Sequence, residues 1–525
     1  MFTKSEKFIG EYCAQIVKIG KLEPIENSDF LVKTLINGGY QVVVGKNDVK
    51  EGDIMVYCKL ETTINKSFLS INNQFEIGER QLNSNYLEVQ SLIDNNQNDD
   101  AKKMCGYFNK HGRVRIVKLR NCPSEGCLFP ISSIEKWKPQ IKNFDFETCF
   151  QPNSEGIIEP FNFDTIDGEE FIKVYIPFTQ EVSSKSDRMK KHTNKTLKRF
   201  NRLIDGQFNF HYDTNQLNDN IWRITPETVV SLSNKIHGTS HIVGNVLVKK
   251  PKQISIFREF LNRRLTKELK NLNKIKTNSY TTKRNIKKRI IDIKEELNNQ
   301  FTVTYGKITS SRKVIKNKYI NPKSKHFYEP ENGNIDIWNY YGDLLFPYLI
   351  EGMTVYSEIA GYVNDSNKMI QKGYDYGCEI GKSFIMPYRI TYTSPDGIVN
   401  EWEVDAVYGW VLNLLKKHPE LEGIVKPLQI LYQGTLKDLY PTVEINSEWQ
   451  TNILNELKND KSTLGMELDE PLCKTKVPRE GIVLRIANDV RSEAFKLKTN
   501  AFKFRESKLI DSGEMDIEMN NNYNS

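Results

Sequence analysis

Along the first 130 residues, apolar positions recur in short runs with a period near two, broken by Gly, Asp and Asn. The runs are Ala14–Gly20, Phe30–Leu35, Tyr40–Val44, Ile54–Cys58, Arg113–Leu119 and Gly126–Pro130. Five or so short strands joined by tight turns suit a small closed barrel, with an OB fold or an SH3-like barrel as the candidates. The Asn- and Asp-rich stretch Asp94–Asp100 reads as a surface loop. Residues 131–204 mix prolines, aromatics and acids and read as a connecting segment, with Ser183–Arg202 polar and basic.

From residue 205 the pattern changes. Strand-like runs, among them Thr228–Ser233, Phe301–Tyr305, Met353–Gly361, Phe384–Thr391 and Gly481–Arg485, alternate with longer segments of helical period. The helical pattern is plainest after Lys250, where Phe257, Leu261, Leu265 and Leu269 recur every four residues. A polar break from Asn271 to Thr282 precedes a second set, Ile286, Ile290, Ile293 and Leu297. These predict an antiparallel pair of helices inserted between strands. Aromatic Phe208–Thr214 fits either a core or the lining of a site. The expected fold class is α+β: an N-terminal barrel over 1–130, a connection over 131–204, and a domain of antiparallel sheets flanked by helices over 205–508. An acidic, Asn-rich tail over 509–525 is expected to be disordered.

Charge sharpens this outline. The net charge is +7, yet Lys249–Leu297 holds 16 Lys and Arg against 5 Asp and Glu, leaving the rest of the chain mildly acidic. A one-signed excess on a helical hairpin points to a nucleic acid backbone as partner; its plainer reading is a solvated surface. No apolar run approaches the roughly 18 residues of a membrane span. The N-terminus lacks a secretory core, and the eight cysteines form no C-x-x-C pair. Together these predict a cytoplasmic protein in a reducing setting, with no membrane association and no obligate protein partner, hence a monomer.

Candidate chemistry begins at Asn234-Lys235-Ile236-His237-Gly238-Thr239-Ser240, where a lysine ends a strand and a glycine follows three residues on. Alone, Lys-x-x-Gly is a weak signal. Downstream come Arg312 after a strand, Glu358 near the end of Met353–Gly361, and Tyr388 within Phe384–Thr391. Glu480 stands at the start of another strand, and Lys496 and Lys498 share one face of a last one. Singly, each has a bland reading: surface acids for Glu358 and Glu480, core for Tyr388, an edge-strand guard for the lysine pair. His237 and His241 have the spacing of two helical metal ligands, but a strand-and-turn context does not suit a zinc site.

As an ordered set, Lys-Ile-His-Gly, Ser-Arg, Ser-Glu-Ile-Ala-Gly, Tyr-Arg-Ile, Glu-Gly-Ile-Val-Leu-Arg and Lys-Leu-Lys resembles motifs I, Ia, III, IIIa, IV and V of the covalent nucleotidyltransferases. Within these it looks most like the ATP-dependent RNA ligases, in the branch with an OB domain ahead of the transferase domain. The resemblance implies sealing of RNA 3′-hydroxyl and 5′-phosphate ends through enzyme-lysyl-AMP and adenylylated RNA, in repair or in viral or phage RNA maintenance. It casts Lys235 as nucleophile, with Lys496 and Lys498 as catalytic partners at the α-phosphate. Gly238, Ser240, Arg312, Glu358, Tyr388 and Glu480 join that pair in binding the nucleotide, Tyr388 by stacking on adenine. Glu358 and Glu480 are the expected ligands of Mg²⁺ or Mn²⁺, with ATP the co-substrate. Two positions depart from many relatives, His237 standing for aspartate and Asn234 for glutamate. A DNA ligase or an RNA capping guanylyltransferase shares the first step, and a catalytically silent RNA-binding protein is the rival of another class.

Overall fold

The computed structural model describes residues 1–154, 158–176, 203–212, 214–251, 256–275, 280–298, 301–311, 315–316, 337–487 and 493–512. Ser183–Arg202 and Arg312 lie outside these. The chain divides into two compact units. One combines residues 1–180, 213–236 and 429–515; the other comprises 181–212, 237–428 and the last ten residues.

In the first unit, the N-terminal strands form small antiparallel sheets. One has the order Cys127–Pro130, Ile54–Cys58, Ala14–Lys18, Phe161–Phe163. A second comprises Glu23–Pro24, Leu31–Ile36 and Tyr40–Gly45, and a third Ile172–Val174, Thr62–Ile64 and Arg113–Val114. The Leu31–Ile36 strand buries Val32, Thr34 and Ile36 alternately, as a half-buried strand must. Its hairpin turns at Asn37 and Gly38, both with positive φ (49° and 68°), the backbone that a type I′ turn requires. Phe129, Trp137 and Phe171 pack edge-on around Phe68 in the core shared by the first and third sheets.

Two expectations differ here. Strands from residues 161–174 pair back onto Ala14–Lys18 and Thr62–Ile64, so these sheets draw on the chain well past Pro130. The expected Asp94–Asp100 loop is instead the junction of two helices, Tyr86–Asp94 and Asn98–Lys103. Val89 and Ala101 anchor them in the interior, which outweighs the weak helix propensity of Asn and Asp.

The same unit contains a five-stranded sheet: Thr214–Gln216, Ala494–Lys498, Gly481–Ile486, Val229–Lys235, Ile430–Thr435. All its pairings are antiparallel except the first. Leu232, Ile482, Leu484, Phe495 and Leu497 from these strands pack on Trp449, Ile453 and Leu457 of helix Trp449–Asn459. Helix Asn500–Asp511 follows, capped by Thr499, whose hydroxyl accepts from the Phe502 N–H at 3.1 Å. Leu509 to Asp511, expected within the tail, form its last turn.

The second unit is built on a six-stranded antiparallel sheet: Ile315–Lys316, Phe301–Ser310, Thr239–Pro251, Met353–Gly361, Ser383–Thr393, Val399–Glu401. Helices Ile337–Leu345 and Val404–Lys417 cover it through Trp338, Tyr341, Val407 and Val411. Helices Ile256–Leu272 and Tyr280–Asn298 leave and re-enter this sheet between two of its strands. Leu265 and Ile293 are buried in that pair, and Arg289 bonds Glu268 across it at 2.8 Å. Among the described residues, no helix is long and apolar enough to cross a membrane, and all eight cysteines are free thiols.

Arg113 ties the barrel to the last helix within the first unit. Its buried guanidinium bonds Glu61 at 2.7 Å, Asp511 at 2.5 Å and the Ser507 hydroxyl at 3.2 Å. Breaking a buried ion pair by removing one partner costs about 3–5 kcal/mol. Arg113→Ala is therefore expected to lower the urea midpoint of the full chain clearly, and Arg115→Ala, whose partner distance is 3.5 Å at an exposed position, hardly at all.

Candidate functional site

Strand register gathers four of the candidate residues. Gly481 pairs with Lys235 on one side and with Lys498 on the other, because Gly481–Ile486 runs between the two lysine-bearing strands. Glu480 immediately precedes Gly481 and is therefore flanked by both lysines. Its carboxylate lies 3.0 Å from Lys235 Nζ and 3.7 Å from Lys498 Nζ. Glu480 is almost wholly buried, whereas Lys235 keeps about a quarter of its side chain (25%) open. The bland reading of Glu480 as a surface acid is therefore wrong, and the lysine pair guards no edge, since its strand is paired on both sides.

Gly481 makes this possible. Its φ of 145° is open to glycine, and a Cβ there would stand 2.0 Å from the Leu497 carbonyl oxygen. No larger residue lets the two strands approach so closely just after Glu480.

The lysine pair is held by acids of its own. Lys498 bonds both carboxylate oxygens of Glu506, at 3.0 and 3.1 Å, from helix Asn500–Asp511. Burial works against its ammonium, but Glu506 and Glu480 outweigh that and hold Lys498 well above the usual lysine range. Lys496 bonds Glu11 at 2.6 Å. Here burial dominates, and with the repulsion of Lys498 and Lys235 it outweighs Glu11, so Lys496 falls below the usual range. Glu11 and Glu506 carry no sequence signal, because each comes from an element with no motif of its own.

Asn234, next to the candidate nucleophile, is buried and donates to Gln429 Oε1 at 3.1 Å. Its side-chain carbonyl oxygen has no partner among the described residues. An unmet buried acceptor costs about 1–3 kcal/mol, and a ligand amino group would satisfy it.

The second unit holds Gly238, Ser240, Glu358 and Tyr388. Ser240 pairs with Glu358 across adjacent strands, and Glu358 Oε1 accepts from the Gly238 N–H at 3.1 Å. A Cβ on Gly238 would lie 2.3 Å from the Ile359 carbonyl, so the turn and the Glu358 strand fit together only with glycine. Two residues not anticipated from sequence fix this turn. Gln371 Nε2 donates to the Gly238 carbonyl at 2.7 Å, and the His237 N–H donates to the Tyr376 hydroxyl at 2.6 Å. Ser240 lends its backbone, its carbonyl accepting from Trp338 Nε1 at 3.1 Å.

Tyr388 sits at an irregularity. Tyr356 pairs with Arg389 and Ser357 with Pro387, so Tyr388 is the extra residue of a β-bulge, half-buried. Bulges re-aim a side chain, and Pro387, lacking an N–H, favours one here.

His241 engages the backbone of helix Ile337–Leu345. It is fully buried with Nε2 3.0 Å from the Trp338 carbonyl, and burial pushes its pKa down to about 3. Among the described residues no cluster of three or more His, Cys, Asp or Glu has metal-binding geometry.

The architecture is thus that of an α+β chain with a small barrel ahead of antiparallel sheets flanked by helices. Residues 13–131 match the model of an OB-fold domain family, so the N-terminal module is an OB fold. No curated protein matches the chain in sequence. Among solved structures the chain is similar to RNA ligase of Naegleria gruberi. A variant with ATP and Mn is 13% identical with a TM-score of 0.44, covering 94% of this chain and 98% of that one. A variant with AMP and Mn gives 14% and 0.44 over the same shares. The form with PPi gives 13% and 0.39 over 95% of this chain and 99% of that one.

A histidine neutral when folded and protonatable when unfolded makes stability fall as pH drops from about 6.5 toward its folded value. The unfolded state binds the extra proton throughout that window, at a slope of up to about 1.4 kcal/mol per pH unit. His241→Gln should flatten the loss of thermal stability between neutral and acid pH, measured by calorimetry across that range.

Proposed function

We propose that this protein is an ATP-dependent RNA ligase that joins RNA 3′-hydroxyl and 5′-phosphate ends. The observation that carries the reading is the placement of Lys235, Glu480, Lys498 and Lys496 on three adjacent strands: a partly open lysine beside a buried carboxylate and two further cations. The motif order supports it, as does the OB fold ahead of the sheets.

In the proposed first step, Lys235 Nζ attacks the α-phosphorus of ATP; the N–P bond forms, the bond to pyrophosphate breaks, and the amine proton leaves. A 5′-phosphate oxygen of RNA then takes the adenylyl group and frees the lysine. Finally, the RNA 3′-hydroxyl loses its proton and attacks the phosphorus of that RNA 5′-phosphate; the phosphodiester forms, and the bond to AMP breaks. The attacking group is the lysine's free amine, whose lone pair forms the new bond. Lys496 and Lys498 offset charge that develops on the α-phosphate. Tyr388 is the candidate for adenine, by stacking.

Glu480 offers hard carboxylate oxygens on the nucleophile's own strand system, and Glu358 does so on the other unit; both suit Mg²⁺ or Mn²⁺. Such an ion, when bound, would supply positive charge to stabilise the transferring phosphate. Arg312 is the remaining proposed phosphate or RNA contact. The setting proposed is intracellular, with the protein acting as a monomer on RNA.

The deciding experiment is transfer of label from α-phosphate-labelled ATP to the protein, read on a denaturing gel. A covalent adduct that requires a divalent cation and vanishes in Lys235→Ala is expected. No adduct, or one that survives the substitution, overturns the ligase reading. GTP in place of ATP, and labelled nicks in DNA or RNA, separate capping and DNA-sealing activities from the one proposed.

The basic hairpin is proposed as the RNA backbone contact. Arg264, Lys267, Lys274, Lys283, Arg284, Lys287 and Lys288 are exposed on it. Reversing four of these to glutamate is expected to weaken RNA binding at least tenfold and to flatten its salt dependence, since each phosphate no longer neutralised takes about one unit off the slope. Adduct formation should persist, and unchanged binding by filter assay would sink the idea.

A further inference from the structure

Glu11 belongs to the N-terminal segment three residues ahead of the barrel strand Ala14–Lys18, yet its carboxylate is spent on the lysine pair. Lys496 Nζ lies 2.6 Å from one oxygen and 2.9 Å from the other. Gln216 Nε2 donates to Oε1 at 2.6 Å, and Gln216 is the register partner of Lys496 on the neighbouring parallel strand. The carboxylate is thus fixed from two sides, by the group it holds and by the strand next to it. Burial raises Glu11, but Lys496 and Lys498 outweigh that and keep it ionised below the usual range.

The charges around Lys496 make this contact consequential. Lys498 and Lys235 repel its ammonium, and burial disfavours it. The other acids near by are engaged with those neighbours, Glu506 and Glu480 with Lys498 and Glu480 with Lys235. Tyr12 faces Lys498, and Lys59, also drawn to Glu11, is paired with Asp219 at 2.7 Å. Glu11 is the anion in direct contact with Lys496. Remove it, and the cheapest relief for a buried cation beside two others is loss of its proton.

We propose that Glu11 is a positioning residue for the nucleotidyl transfer put forward above, keeping Lys496 extended and charged for the α-phosphate of the nucleotide. A lysine ammonium has three N–H donors, so one can stay on Glu11 while another turns to phosphate. The N-terminal segment that leads into the OB fold thereby contributes to the first chemical step through a single side chain. The role rests on the proposed ligase reading.

The test uses the full chain and two variants, Glu11→Gln and Glu11→Asp. After ¹³C reductive methylation, the Lys496 signal, assigned by its loss in Lys496→Arg, should titrate about one pH unit lower in Glu11→Gln than in the unsubstituted chain. The alkaline limb of label transfer from α-phosphate-labelled ATP should move down by the same amount, about tenfold in rate on that limb. Glu11→Asp, one methylene shorter, should give an intermediate shift, and it covers the case in which Glu11→Gln does not fold. An unmoved Lys496 titration, or a loss of rate equal at every pH, overturns the role of Glu11 alone. A chain that takes no label in its unsubstituted form overturns the reaction itself, and the role with it.

Discussion

A buried carboxylate between two ammonium groups is the constraint on which the first unit's site depends. Glu480 cannot sit beneath the surface uncompensated, because a lone buried charge costs several kcal/mol. Lys235 and Lys498 compensate it, and the sheet puts them there through the register of Gly481. The lysines are in turn too crowded to stand alone, so Glu506 and Glu11 complete an alternating array of charge. Each member is held because the next one is. That interdependence fixes side chains which on an open surface would sample many rotamers, and the phosphate chemistry proposed for them needs such order before a ligand arrives.

The second unit solves a different problem, a backbone turn that must lie against a neighbouring strand. Gly238 allows the approach, Glu358 receives its N–H, and Gln371 and Tyr376 bind the peptide groups on either side. The conformation is set by hydrogen bonds to the main chain rather than by charge. Substituting His237 would therefore leave the contact with Tyr376 in place, since that contact uses the backbone.

The sheets and the helical hairpin were legible because period-two and period-four patterns follow directly from which face is buried. Lys235, Glu480, Lys496 and Lys498 were legible as a set through their order, and their register explains why that order matters. Glu11 and Glu506 were not, since an acid that meets a lysine hundreds of residues away, or from a helix folded back on the preceding strand, leaves no local trace. The extension of the barrel sheets to Val174 was also hidden, because strands of two or three residues are too short to show a period. Asp94–Asp100 misled for a related reason: polar composition describes exposure, and an exposed helix end looks like a loop.

The bulge at Tyr388 has a consequence for how this strand can vary. Side chains alternate faces along a strand, so one extra residue reverses the alternation beyond it: whatever faces inward before Pro387 is out of phase with what faces inward after Arg389. Proline at the bulge cannot lend an N–H to a regular ladder, so the strand has no smooth, bulge-free alternative into which it could relax. The phase break is therefore built in covalently. Deleting Tyr388 would close the gap in length while leaving a proline in the ladder, whereas replacing Pro387 would free the strand to slip and would carry the aromatic ring to the opposite face.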